Sequence, residues 1–371
     1  MRRKIGFLFL GPVTHLHHAA SIAFELAAFP EVEVTIFVAS ELNERTVHAL
    51  AAQYGCACTT EFLRPGPLHR FVRRFKKRLH PRVRHVLGHN AARLRGCDAL
   101  VVTDRTFLEG RGPRPLHILT GHGAGYRPQG LYPELWKFDL VLLPGPDKLQ
   151  RFVAEGFPRE RLAMVGYPKF DLVQRARPQA APLFANANPV VLYNPHINPE
   201  VSSWQAWHQP ILDYFLANRD FNLVFAPHML LYSKQRGGVA QKYLDADNIL
   251  VDLDSPALID MTYSSQADLY LGEGSSQVHE FVAWRNRPCV FLNPRRIAWQ
   301  HNPNFSAWRM GAVVEDIATL DRELRSAPRQ FETTYRAAQE QLVRETFSIT
   351  DEPAGRRAAR AIVELLARQP A

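Results

Sequence analysis

Residues 267–294 read ADLYLGEGSSQVHEFVAWRNRPCVFLNP. The run Asp268–Leu271 is short and apolar, and Gly272-Glu273-Gly274 breaks it. Ser275-Ser276 can cap a helix whose apolar positions include Val278, Phe281 and Val282, and a second buried strand follows near Cys289. Strand, turn, helix, strand is the unit of a parallel sheet. The helix start carries unpaired N–H groups and the positive end of the dipole, so a phosphate would be well placed there with the two serine hydroxyls as extra donors. An ordinary N-cap on an α/β crossover uses the same residues.

Outward from this stretch the alternation continues in both directions. Candidate strands at 4–10, 32–39, 57–63, 99–103, 116–120, 139–143 and 162–165 are separated by helical patterns such as 15–29, 41–54 and 146–155. The pattern lapses in the Pro/Ala/Asn-rich stretch 175–188, RARPQAAPLFANAN, which reads as a linker. It resumes with strands at 189–193, 223–226, 249–253, 268–271, 289–292 and 312–314. The expectation is an α/β chain of two tandem Rossmann-like domains facing a cleft. Residues 1–178 would form an acceptor-binding domain and 189–345 a nucleotide-donor-binding domain. A closing helix within 346–371 could pack on either one or across the cleft. A length of 371 residues suits two domains, each able to bury its own core.

With 46% hydrophobic and 22% charged residues the composition is that of a folded protein. No apolar run approaches the length needed to cross a bilayer, and the N-terminal MRRKIGFLFLGPVTH reads as a first strand. Cys56, Cys58, Cys97 and Cys289 show neither metal-ligand nor disulfide-framework spacing, which points to a reducing cytoplasm. The net charge of +9 is uneven: no acidic residue lies between Glu61 and Asp98, while eleven Lys and Arg crowd there, Arg73, Arg74 and Lys77 among them. In HRFVRRFKKRL, Phe71, Phe75 and Leu79 recur every four residues, so a basic helix with a narrow apolar stripe is expected. It would lie on an anionic membrane surface, dock a phosphorylated acceptor, or simply be a solvated face. No nucleic-acid-binding module accompanies it.

Ligands of such sheets bind beyond the carboxyl ends of the strands. Histidines collect there: His15 and His17 after the first strand, His122 in Thr120-Gly121-His122-Gly123, His196 in Asn194-Pro195-His196 and His228 in Ala226-Pro227-His228. An imidazole titrating near neutrality is the efficient base for an attacking hydroxyl, which makes His122 the candidate base. Glu280, one turn into the helix that starts at Ser275, could accept from a ribose hydroxyl or stand as an exposed helix carboxylate. Asp252-Leu253-Asp254 could share a divalent ion with a diphosphate, but Asp-Ser-Pro is also a turn and helix start. Helix N-termini make a metal unnecessary, so neither metal nor other cofactor is expected.

In order along the chain, GHGAGYR, FDLVLLPGPDKLQRF, MVGYPKFD, VLYNPH, the Ala226-Pro227-His228 turn and the stretch 267–294 resemble the CDP-glycerol glycerophosphotransferases of the teichoic-acid polymerase type. The resemblance spans the last two-thirds of the chain. It implies a glycosyltransferase-B fold and transfer of glycerol phosphate, a related alditol phosphate or a sugar from a nucleotide-activated donor, CDP-linked, to a hydroxyl of a polysaccharide or lipid-linked acceptor. It also implies that His122 and His228 are catalytic and that Ser275 and Ser276 bind donor phosphate. By position Gly274 joins that phosphate site, and His15 with the basic residues Arg73, Arg74 and Lys77 are candidate contacts for acceptor or membrane, which would place a cytoplasmic protein on the inner face of the cytoplasmic membrane. The chain departs from the family in having Gly-Glu-Gly where Thr-Asp-Tyr precedes the serine pair, and Ala124-Gly125 where Thr-Pro follows the histidine. Two other functions fit in part: a non-hydrolysing UDP-N-acetylhexosamine 2-epimerase, and a non-catalytic nucleotide-binding subunit.

Overall fold

The computed structural model describes residues 2–66, 83–124, 131–176, 181–228, 231, 239–253 and 255–369. The chain divides into two units. The first comprises Met1–Gly123, Gly130–Pro178 and Glu345–Ala371; the second is built in the main from Gln179–Arg344. The boundary falls inside the Pro/Ala/Asn-rich stretch, of which residues 177–180 lie outside the described residues. The basic segment HRFVRRFKKRL, with Arg73, Arg74 and Lys77, lies outside them as well.

In the first unit seven strands, β1 (Arg3–Phe9), β2 (Val32–Val38), β3 (Thr60–Phe62), β4 (Ala99–Val102), β5 (Leu116–Leu119), β6 (Leu140–Leu143) and β7 (Leu162–Met164), form one parallel sheet in the order β3-β2-β1-β4-β5-β6-β7. The central strands ALVV and LVLL are buried on both faces, as continuous apolar runs in a parallel sheet must be. Along β1 the side chains alternate: Ile5, Phe7 and Phe9 enter one core layer, and Leu8 enters the other with Leu100, Val102, Val141 and Leu143. The edge strand β3 is shorter than the run 57–63, because only three of its residues pair with β2.

The second unit repeats the plan with β8 (Val190–Asn194), β9 (Asn222–Phe225), β10 (Ile249–Val251), β11 (Leu269–Gly272), β12 (Cys289–Leu292) and β13 (Ala312–Val314), all parallel in the order β10-β9-β8-β11-β12-β13. Each sheet therefore has one place where the strand order reverses, between β1 and β4 and between β8 and β11, and a crevice opens at such a switch point.

One local feature differs from the sequence reading, and one open alternative is narrowed. The pattern 15–29 is not one helix: a 3-10 turn, Val13–His18, ends at Ala19 (φ −140°), and the α-helix Ala20–Leu26 starts there. The closing helix, Ala354–Ala367, packs on the first unit. Gly355 lies so close to Ser21 that a Cβ would come within 2.9 Å of it, and the Asp171 carboxylate accepts the Ala354 and Gly355 N–H groups at 3.0 and 2.7 Å. Those two donors are among the four that a helix start leaves unpaired. Among the described residues no helix is long and apolar enough to cross a membrane.

Candidate functional site

At the switch point of the first sheet, the turn after β1 carries His15, the end of β4 carries Thr103 and Asp104, and the turn after β5 carries His122. The His122 Nδ1 lies 2.7 Å from the Thr103 carbonyl oxygen. A carbonyl only accepts, so Nδ1 holds the proton and Nε2 keeps its lone pair on an exposed ring. The His15 ring stacks on that of His122, with centroids 4.3 Å apart and planes 14° from parallel, and its Nδ1 meets the Thr103 hydroxyl at 3.1 Å. One threonine thus holds two imidazoles, one through its main chain and one through its side chain. Burial, then the neighbouring His122 charge, push His15 down to about 4, against a smaller pull from Asp104. Next to it, burial and the Lys169 charge push His17 to about 4 and His18 well below its ordinary value. The Lys148 ammonium donates to the Gly123 carbonyl at 2.6 Å, steadying the turn that carries His122.

At the switch point of the second sheet, β11 ends at Gly272 with φ +155°, and a Cβ there would lie 3.1 Å from the Asn194 carbonyl oxygen. Glycine lets the chain turn so that Glu273 points inward. Its carboxylate is 1% exposed and accepts two main-chain N–H groups, from His196 at 2.7 Å and from Ser203 at 2.5 Å. Burial outweighs those hydrogen bonds and raises Glu273 to about 7. The residue that looked like part of a turn is a latch, tying the loop after β8 to the loop after β11.

Ser275 is the N-cap of the helix Ser276–Trp284, with extended backbone and its Oγ accepting from Gln277 N at 3.2 Å. Its carbonyl receives the His279 ring at 2.9 Å. The Trp308 indole N–H is buried without a partner, and Trp308 Nε1 lies 3.7 Å from where a Cβ on Gly274 would stand. His196 Nδ1 accepts from Asn198 N at 3.0 Å, which leaves its proton on Nε2. The His228 N–H reaches the Pro195 carbonyl at 3.3 Å, so the loops after β8 and β9 are joined, and burial pushes the His228 imidazole down.

Two candidates change character. Glu280 is not an exposed helix carboxylate; it is 3% exposed inside the helix–sheet layer. Asp252 accepts from Ser255 N at 2.9 Å and from the Tyr263 hydroxyl at 2.5 Å, as well as from the Ser255 hydroxyl, so it organises the turn before the next helix. Asp254 lies outside the described residues. Among those residues, no group of three or more His, Cys, Asp or Glu is placed to hold a metal ion.

No protein-family model and no curated protein sequence matches this chain. Solved structures do match. The wall teichoic acid polymerase TagF aligns over 99% of this chain and 88% of its own, with TM-score 0.62 and 14% identity. A UDP-GlcNAc 2-epimerase from Neisseria meningitidis, solved with UDP-GlcNAc bound, aligns over 100% of both chains with TM-score 0.58 and 12% identity. A UDP-N-acetylglucosamine 2-epimerase from Rickettsia bellii aligns over 99% and 98%, with TM-score 0.62 and 11% identity. The fold is of the glycosyltransferase-B type. At such identities the likeness is one of fold, and it extends to transferase and epimerase alike. Within the glycosyltransferase-B plan, His122 and His15 belong to the N-terminal unit, and the serine pair, His196 and His228 to the C-terminal one.

Proposed function

We propose that this chain is an enzyme that moves a glycerol-phosphate group, or a related alditol-phosphate or sugar group, from a nucleotide-activated donor, CDP-linked, to a hydroxyl of a cell-envelope polysaccharide or lipid-linked acceptor. The observation that carries the reading is the fixed tautomer of His122, whose Nδ1 proton is committed to the Thr103 carbonyl and whose exposed Nε2 is ready to accept. In phosphoalditol transfer, the acceptor oxygen attacks the phosphorus while its proton passes to Nε2. The bond from phosphorus to the bridging oxygen breaks, and CMP leaves with that electron pair. The growing charge needs donors. The helix start at Ser275-Ser276, with Gly274 before it, is assigned to the donor phosphates, and His228 to the leaving phosphate oxygen. Glu280, 3% exposed, is kept as the candidate acceptor for a ribose hydroxyl of the donor.

The 2-epimerase reading is supported by a fold likeness of the same order. Against it, the acid at the second switch point, Glu273, is 1% exposed and joins two loops through the His196 and Ser203 N–H groups, so it serves the scaffold. A thermal-shift screen of CDP-glycerol, CDP-ribitol, CMP-sugars, UDP-sugars and GDP-sugars, followed by product analysis, decides between the two. The transferase releases nucleotide only when acceptor is present. An epimerase converts UDP-N-acetylglucosamine alone, and that outcome would replace the proposal.

A further inference from the structure

The sheet of the first unit is parallel, so the residues that precede its strands share one edge, opposite the turn that carries His122. A cleft of about 270 Å³ opens toward that edge, close to the lower end of the range for small-molecule sites. Val34 and Ile36 of β2 and Phe24 of the helix Ala20–Leu26 give it apolar walls. Cys58, just before β3, lines it, and the exposed Arg2 and Glu33 line it with one positive and one negative charge.

Two periods meet at Cys58. Glu44 and His48 stand one turn apart on the helix Glu41–Tyr54, and they fall over Cys58 and Thr60, which lie two residues apart on the approach to β3. Cys58 Sγ is 3.8 Å from His48 Nδ1, His48 Nε2 is 3.1 Å from Thr60 Oγ1, and the Thr60 hydroxyl donates to the Glu44 carboxylate at 3.3 Å. A carboxylate only accepts, so the hydroxyl spends its proton there and its oxygen receives the Nε2 proton of His48. Nδ1 is left bare against the sulfur, and Cys58 donates to it. Burial raises the Cys58 thiol above its ordinary value, so the sulfur rests as S–H and turns nucleophilic as its proton passes to Nδ1. Cys58 is thus a nucleophile with a base beside it and two further groups that hold the base.

The walls of the cleft select what the sulfur meets. A thiol with a base takes an electrophile, and a cleft of this volume suits one far larger than a peroxide. A cation and an anion in one lining suit a zwitterion. The disulfide of an amino-acid thiol is electrophilic, bulky and zwitterionic at once.

We propose that Cys58 exchanges with disulfides of small amino-acid thiols, and that the half it captures lies in this cleft with its carboxylate toward Arg2 and its ammonium toward Glu33. The Cys58 proton goes to His48 Nδ1, the sulfur attacks one sulfur of the disulfide, and the S–S bond of the disulfide breaks. The departing thiolate keeps that electron pair and takes the proton from His48. One protein thiol and one disulfide become one mixed disulfide and one free thiol. The exchange uses no residue of either switch point, so it stands or falls apart from the transferase reading.

The test treats the full chain, parent and Cys56→Ser, with cystine near pH 7 and follows each cysteine by peptide mass. The variant removes the neighbouring thiol, which would otherwise reopen the adduct. Cys58 is modified ahead of Cys97. The His48 ring is exposed, so His48→Ala keeps the fold, and it slows modification of Cys58 roughly 10²-fold while leaving Cys97 unchanged. Cystamine lacks the carboxylate and dithiodiglycolate lacks the ammonium. Relative to their rates with a free thiol, each reacts at Cys58 roughly two- to five-fold more slowly than cystine, and Arg2→Ala and Glu33→Gln erase the respective differences. A Cys58 no faster than Cys97, a rate indifferent to His48, or equal relative rates for the three disulfides overturns the proposal. Oxidation of Cys58 by hydrogen peroxide with no mixed disulfide formed from cystine overturns it as well.

Discussion

At the first switch point the strand ends present imidazoles, two of them stacked and shared by Thr103, and a partly exposed ring carries the spare lone pair. The second switch point, built by the same strand order, presents a buried carboxylate, a capped helix start and a lone indole N–H. Under the proposed function the first would take the proton and the second would orient donors toward phosphate, while its acid is sequestered in the scaffold. The difference teaches that the sheet fixes only where chemistry is placed. The few residues after each strand decide what chemistry it is.

The sharpest break in this division of labour is His122→Ala. Turnover with acceptor should fall by about 10²- to 10⁴-fold, with nucleotide affinity nearly unchanged by calorimetry. A variant that lost affinity and kept its rate constant would reverse the roles of the two ends. The mirror experiment is Ser275→Ala with Ser276→Ala. Each serine donor lost from a charged oxygen should weaken nucleotide binding roughly ten- to hundred-fold, and the first also removes a helix cap worth about 1 kcal/mol. Unchanged affinity in the folded double variant would mean that the serines only cap.

Acid and base should strain the two ends in opposite directions. His15 and His17 are depressed to about 4, so the first unit is stabilised above the unfolded value near 6.5 and loses that stability as the pH falls from there toward 4. Glu273 is raised to about 7, so the second unit is stabilised below the ordinary glutamate value and loses that contribution as the pH rises from about 4.5 through 7. For Glu273 the swing is on the order of 3 kcal/mol. Hydrogen exchange at the Ser203 and His196 amides should therefore quicken as the pH climbs through that window, beyond the intrinsic base-catalysed rise. In Glu273→Gln the extra slope should vanish. The smallest effect is expected from Thr103→Val, which keeps the carbonyl that fixes His122 and loses the hydroxyl that holds His15. A fall in kcat of a few fold, with KM unchanged, would be the worth of that one hydrogen bond. A fall as large as that of His122→Ala would make His15 an equal partner.

Much of the fold was legible because parallel strands announce themselves as short apolar runs between turn residues, and the helix Glu41–Tyr54 carries its own punctuation, Ser40 before it and Gly55 after. Around the candidate site, the strand-end turn that carries His122 and the helix cap at Ser275 were legible from their local sequence. Thr103 was not, because one of its two contacts is made by a carbonyl that every residue has. Glu273 was not, because its partners lie 77 and 70 residues away and Gly-Glu-Gly looks locally like a plain turn.

The return of the helix Ala354–Ala367 to the first unit has a temporal consequence. As the chain leaves the ribosome, the helix Ala20–Leu26 and the carboxylate of Asp171 precede the second unit, but the segment that covers the one and pairs with the other is made only after that unit. At translation rates of about 5 to 20 residues per second, the intervening second unit imposes a wait of roughly ten to thirty seconds. During that interval the nascent first unit carries an open apolar seam beside Ser21. A nascent chain arrested before residue 354 should accordingly bind chaperone through that seam, and a full-length chain released from the ribosome should not.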